Sequence, residues 1–157
     1  MENSLKQEFT RRLSQCNRGE LIVIMYDIVF AYIEEAKLAY EKNNYDEYKE
    51  AIRKTQAGID GLKKSLDFKY EIAKEIYPLY MYCYNALAKA IYQNRLDGLL
   101  EAEKILKRLY QSFCEVAKTD ASGPLMGNTQ QVYAGMTYGR TNLTENLVEN
   151  THRGFFA

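Results

Sequence analysis

The chain has 157 residues, the length of one domain, and its 21 Lys and Arg balance 21 Asp and Glu. Zero net charge removes the overall cationic excess expected of a nucleic-acid binder, which must neutralise phosphates, and argues against that class of partner, and the length allows a core without metal or disulfide. Its aromatic content is lopsided, with 14 Tyr and 6 Phe but no Trp.

The first twenty residues, MENSLKQEFTRRLSQCNRGE, are polar and charged and hold no apolar run of the kind a secretory signal carries. No later stretch approaches eighteen uninterrupted apolar residues, so the expectation is a soluble, cytosolic protein. Residues 1–16 read as an N-terminal segment preceding the helical part.

Only Pro78 and Pro124 interrupt the chain, and apolar residues recur at helical spacing through four segments separated by short polar stretches. The pattern predicts an all-α fold: an antiparallel up-down four-helix bundle over residues 17–118 with a C-terminal extension over 119–157. The first predicted helix runs from about Arg18 to Lys42, with Asn17 as N-cap and Glu20 closing a capping box. Asn44 and Glu47 repeat the device for a second helix ending near Leu66. Asp67 or a neighbour caps the third, about Phe68 to Gln93, and Asn94 or Asp97 caps the fourth, which ends near Lys118.

Wheel arithmetic at about 100° per residue sorts the faces. The second helix has one narrow stripe, Tyr45, Tyr48, Ile52, Thr55, Ile59, Leu62 and Leu66, with Gln56 at its margin. In the third, the stripe from Ala73 to Ile91 is flanked by Ile72, Leu79 and Ala86 on one side and by Met81, Ala88 and Tyr92 on the other, with Tyr82 near the back. In the first, Val23 and Phe30 lie behind a stripe that includes Ile28 and Val29. Two helices therefore carry more apolar surface than a bundle core consumes, and something else should cover it. Pro78 falls within the third helix, where it deletes one backbone bond and predicts a kink.

Residues 119–157 hold five charged residues and five of the nine glycines. Val132, Tyr133, Met136 and Tyr138 lie in a Gly-punctuated stretch, and Phe155 and Phe156 fall near the end of the sequence. This segment reads either as a glycine-spaced tail or as one that docks those apolar residues on the bundle and competes for its grooves.

The only histidine is His152, which leaves the helices without the Glu-x-x-His pairs of a di-iron site and without a histidine-based triad. Cys16, Cys83 and Cys114 are odd in number and lack CxxC spacing, so they read as reduced core thiols. No catalytic, cofactor-binding or metal site is expected, and no enzyme activity. Tyrosines in the stripes read as packing; those on flank faces, Tyr26, Tyr82 and Tyr92, read as binding residues, because Tyr combines a large ring with a hydrogen-bonding tip. Gln56 is either a satisfied interhelical amide or a partner contact. Gly58 and Gly61 imply a close helix neighbour, since each costs about 1 kcal/mol relative to Ala.

ELIVIMYDIV (Glu20 to Val29), the Ile52-x-Lys54-x-Gln56-x-x-Ile59-x-x-Leu62 pattern followed by Ser65-Leu66-Asp67, and Leu79-Tyr80-x-Tyr82 with Leu87 resemble the signature of the FliS family of flagellin export chaperones. The likeness spans about residues 9–117; Asn17-Arg18, Ile28 and Asn85-Ala86 depart from the family pattern. The resemblance implies a non-enzymatic cytosolic chaperone that binds the C-terminal helical segment of flagellin, prevents premature polymerisation and presents it to the flagellar type III export apparatus. It also implies that the N-terminal segment around Phe9 and Leu13 lies over part of the cargo groove. The residues expected to meet a partner are Phe9, Leu13, Val23, Tyr26, Phe30, Gln56, Leu79, Tyr82 and Tyr92. The competing expectation is a helical scaffold or adaptor that uses its surplus apolar surface to form a homodimer.

Overall fold

The computed structural model describes residues 1–127. They fold as five helices, α1 Asn3–Gln15, α2 Arg18–Glu41, α3 Tyr45–Lys64, α4 Glu71–Gln93 and α5 Asp97–Thr119, with no strand among the described residues. Met1–Leu125 form one compact unit; of a second, Met126–Ala157, only Met126 and Gly127 are described, and they carry no helix. The described residues are all-α, with five helices where four were expected. α1 fills most of residues 1–16, the segment whose polar sequence shows no predicted helix.

Local chemistry sets the helix ends. Asn17 and Glu20 form the full reciprocal box, the Asn17 side chain accepting the Glu20 N–H at 2.9 Å while Glu20 Oε2 accepts the Asn17 N–H at 2.9 Å. Such a cap contributes about 1 kcal/mol. At α3 only half of the predicted box forms: Asn44 Oδ1 accepts from Glu47 at 3.3 Å, but the Asn44 N–H donates to the Ala39 carbonyl at 2.9 Å instead of to Glu47. Asp67 does not cap the third predicted helix. Its Oδ1 accepts the Lys69 N–H at 3.0 Å within a turn, and α4 starts only at Glu71. Asn94 ends α4 rather than starting α5; its φ of 53° is the left-handed conformation that Asn tolerates and most residues do not. Pro78 lies within α4, which runs through it.

Neighbouring helices run antiparallel in a closed circuit. Tyr48 of α3 stacks edge-on at 5.0 Å on Tyr40 of α2, and Gln56 Nε2 of α3 donates to the Tyr84 carbonyl of α4 at 3.1 Å. Gly98 of α5 lies against the Ala86 carbonyl of α4, and Tyr110 of α5 donates to Asp27 of α2 at 2.8 Å. The core at their centre includes Tyr26, Val29, Ile33, Ile52, Ile59, Leu62, Tyr80, Leu87, Leu99 and Leu106, all essentially inaccessible to solvent. Burial of an aliphatic side chain of this size contributes about 1.5–3 kcal/mol.

α1 packs on the outer face of α2. Phe9 and Cys16 form a second cluster with Ile24, joined by Leu13, Leu21, Ile28 and Ala31. Ile28, placed in the core stripe by the wheel, therefore faces α1. α2 is apolar nearly all round because it has neighbours on three sides, α1, α3 and α5.

Candidate functional site

Three features of the surface and its margins stand out, and the residues expected to meet a partner divide among them or fall in the packed interior, except Tyr92, which stands exposed apart from all three. The first is the outer face of α4. Ile72, Leu79 and Tyr82 lie within about 80° of arc on one flank of its buried stripe, and they are 58%, 39% and 49% exposed. Three contacts fix the α4–α5 register: Gly98 on the Ala86 carbonyl, the Tyr82 hydroxyl on Glu101 Oε1, and the Cys83 thiol on the Ala102 carbonyl. Carried down the antiparallel pair, that register sets Leu79 level with Ile105 and Ile72 level with Ser112. The result is a strip along one side of α4 whose apolar members are Ile72, Leu79 and Tyr82, with exposed Glu75 inside the same arc and the Tyr82–Glu101 bond at its edge. The Tyr82 hydroxyl donates to Glu101, and that hydrogen bond and the carboxylate's negative charge raise the phenol above its ordinary value. Tyr92, 91% exposed, lies on the opposite flank of α4 and is not part of the strip. Phe68 and Tyr77, also exposed, stack on each other at 5.7 Å near the start of α4.

The second is a cavity of about 590 Å³ between α1, α2 and α5. Val23, Ile24, Cys16, Cys114 and Ala117 contribute apolar lining, and Arg11, Arg12 and Lys118 bring positive charge. Arg12 pairs with Asp27 at 2.7 Å, and the other oxygen of Asp27 accepts from Tyr110, so one carboxylate of α2 ties α1 to α5. Burial and the Asp27 contact raise the Tyr110 phenol; burial raises the Cys16 thiol.

The third is the link between α1 and α2, where Asn17 and Gly19 meet residues that follow α5. Gly19 accepts no substitute easily, since a Cβ there would stand 2.9 Å from Asp120 Oδ2 and 3.2 Å from the Ala117 Cα.

Phe9 and Leu13 lie in the α1–α2 cluster, Phe9 only 7% exposed. Val23 lines the cavity. Phe30 packs edge-on against Tyr110 at 5.3 Å and beside Tyr26 at 6.2 Å, partly buried. Tyr26 corrects the flank assignment: it is fully buried, its hydroxyl 2.6 Å from that of Tyr80, because α5 covers the side of α2 that the wheel left open. Gln56 is a satisfied interhelical amide. Val132, Tyr133, Met136 and Tyr138 lie outside the described residues. Ile72 was seen as a flank residue but not as a site residue; its spacing of seven from Leu79 was the available signal.

Among the described residues no helix is long and apolar enough to cross a membrane, and no three His, Cys, Asp or Glu side chains are grouped to hold a metal ion. A family model described as flagellar protein FliS matches residues 1–120. No curated protein matches the chain at a significant level.

Proposed function

The chain belongs to the FliS family of flagellar proteins, and from that membership we propose that it is a cytosolic export chaperone for flagellin. It binds the C-terminal helical segment of flagellin, prevents premature polymerisation and delivers the subunit to the flagellar type III secretion apparatus. The observation that supports this reading is the exposed strip of Ile72, Leu79 and Tyr82 on α4. An amphipathic segment that folds on contact needs such a face: apolar anchors one to two turns apart, with a phenol at the edge for polar contact. Folding the segment costs about 2–5 kcal/mol of the interaction, which large ring and aliphatic contacts offset.

In this reading α1 occupies the Ile24–Ile28 face of α2 before cargo arrives, through Phe9 and Leu13. The cavity at Val23 would then be the edge of a second contact region.

Titration calorimetry with peptides from the C-terminus of flagellin of the same organism should give one-to-one binding with Kd below 1 μM, about −8 kcal/mol. Absence of binding at tens of micromolar would sink the proposal. Light scattering on the same samples addresses the homodimer reading: a concentration-independent dimer that persists with peptide present would reassign the strip to self-association.

A further inference from the structure

The chain revisits its own first interhelical link a hundred residues later. Asp120 Oδ2 accepts the Gly19 N–H at 2.8 Å. The Asn17 side-chain amide donates to the carbonyl oxygens of Asp120 and Ser122, each at 3.4 Å, and the Leu125 N–H donates to the Cys16 carbonyl at 3.0 Å. Asp120 Oδ1 meanwhile accepts the Ser122 N–H at 2.9 Å, which sets the turn. Residues 120–125 thus bond to Cys16, Asn17 and Gly19, and the room for Asp120 exists because residue 19 has no Cβ.

Two helix ends are served at once. The Asn17–Glu20 box leaves the Gly19 N–H without a partner, and the Asp120 carboxylate supplies one where the helix N-terminus favours negative charge. Cys16 is the C-terminal cap of α1, and its carbonyl is met by Leu125. Both link residues are extended, Cys16 at ψ 150° and Asn17 at ψ −176°. α1 can swing away from α2 only by rotation about these two residues. Elsewhere α1 is held by the Phe9 cluster, by Arg12–Asp27 and by the Met1 amine on Glu35, with the cavity opening between it and α5.

We propose that residues 120–125 are a strap that sets how firmly α1 is held on α2, by fixing the backbone of the only link about which α1 can turn. A docked strap keeps α1 over the Ile24–Ile28 face; an undocked strap frees the link and exposes that face. The coupling is reciprocal, so displacement of α1 loosens the strap. It requires no assumption about cargo and stands or falls separately from the flagellin reading.

Hydrogen exchange by mass spectrometry on the full chain tests it, comparing wild type with Asp120→Ala and Leu125→Pro. Asp120→Ala removes the bond to Gly19. Leu125→Pro deletes the N–H that meets Cys16, fixing φ there and replacing a half-exposed side chain, and leaves the cap on α2 intact, so it separates a strap from simple loss of capping. In both variants amides within residues 5–15 should exchange about tenfold faster, the effect of one lost charge-assisted or well-placed bond, and by a clearly larger factor than amides of α3 and α4. Unchanged α1 exchange, acceleration in Asp120→Ala alone, or equal acceleration through α3 and α4 would each overturn the proposal.

Discussion

Gly19 and Asp120 stand 101 positions apart in sequence and 2.8 Å apart in space, amide to carboxylate, at the N-terminus of α2. The contact joins the start of the helical circuit to the residues that follow its last helix. Ser122, through its hydroxyl and amide, and the Gly19 N–H hold the Asp120 carboxyl below the ordinary carboxylate range. A group lowered in the folded state adds stability above its unfolded-state value, about 3.9 for Asp, and loses it as pH falls through the folded value. The melting temperature of wild type should therefore exceed that of Asp120→Ala by a constant amount from pH 7 to 5. The gap should close below about pH 4. An undiminished gap at pH 2.5 would show that the charge plays no part.

Tyr26 and Tyr80 share a hydrogen bond in the middle of the core, with hydroxyls 2.6 Å apart. Burial pushes Tyr80 up to about 12 and Tyr26 higher still, so both stay neutral at any working pH. Tyr26→Phe or Tyr80→Phe leaves one buried hydroxyl without its partner and should cost about 1–2 kcal/mol in denaturant unfolding. The double variant removes both polar groups and should cost less than the sum of the two. Additive losses would mean that each hydroxyl is satisfied elsewhere.

Gly58 and Gly61, one turn apart on α3, should answer alanine with opposite signs. A Cβ at Gly58 would stand 2.5 Å from Val29 Cγ2, a short and stiff side chain on α2. Overpacking of this kind costs about 1–3 kcal/mol. At Gly61 the nearest atom is Met25 Cε at 3.2 Å, the end of a flexible side chain that can move aside. Gly61→Ala then gains helix propensity, up to about 1 kcal/mol. Thermal unfolding should move down for the first and up for the second.

These glycines show which parts of the fold were legible in sequence. A close neighbour for α3 could be inferred from two costly glycines, and the capping box at Asn17 from four consecutive residues, because both signals are local. The core stripe of α3 was legible in its middle, where Tyr48, Ile52, Thr55, Ile59 and Leu62 are all buried, but not at its ends: Tyr45 is exposed at the first turn and Leu66, past the end of the helix, is only partly buried. α1 was missed because its sequence is mostly polar, although Leu5, Phe9 and Leu13 recur every four residues and Phe9 anchors it. Tyr26 was misplaced because a wheel ranks residues around one helix and cannot know how many neighbours that helix has. The contacts of residues 120–125 with the α1–α2 link leave no periodic trace, as most of them use backbone atoms. Of the expected binding residues, Leu79 and Tyr82 reach the surface strip because they sit on the flank of α4 turned away from the core. Gln56 was spent on a backbone carbonyl, an outcome that spacing alone does not distinguish from a surface role.

If the strip on α4 receives flagellin, substitutions there should damage binding and spare the fold. Ile72 and Leu79 are exposed enough that lysine at either site creates no buried charge, and lysine is a good helix former. Ile72→Lys and Leu79→Lys should shift the melting temperature by no more than about 2 °C, a change well under 1 kcal/mol. Each should weaken binding of the flagellin C-terminal peptide at least about tenfold, or 1.4 kcal/mol, by removing an apolar anchor. Tyr82→Phe isolates the hydroxyl: it keeps the ring but breaks the bond to Glu101, and should weaken binding only where cargo uses that polar edge. Tyr92→Ala, on the opposite flank, sets the width of the site. A loss there equal to that at Leu79 would place cargo across both flanks of α4, whereas unchanged affinity in the two lysine variants would remove the strip from the cargo site.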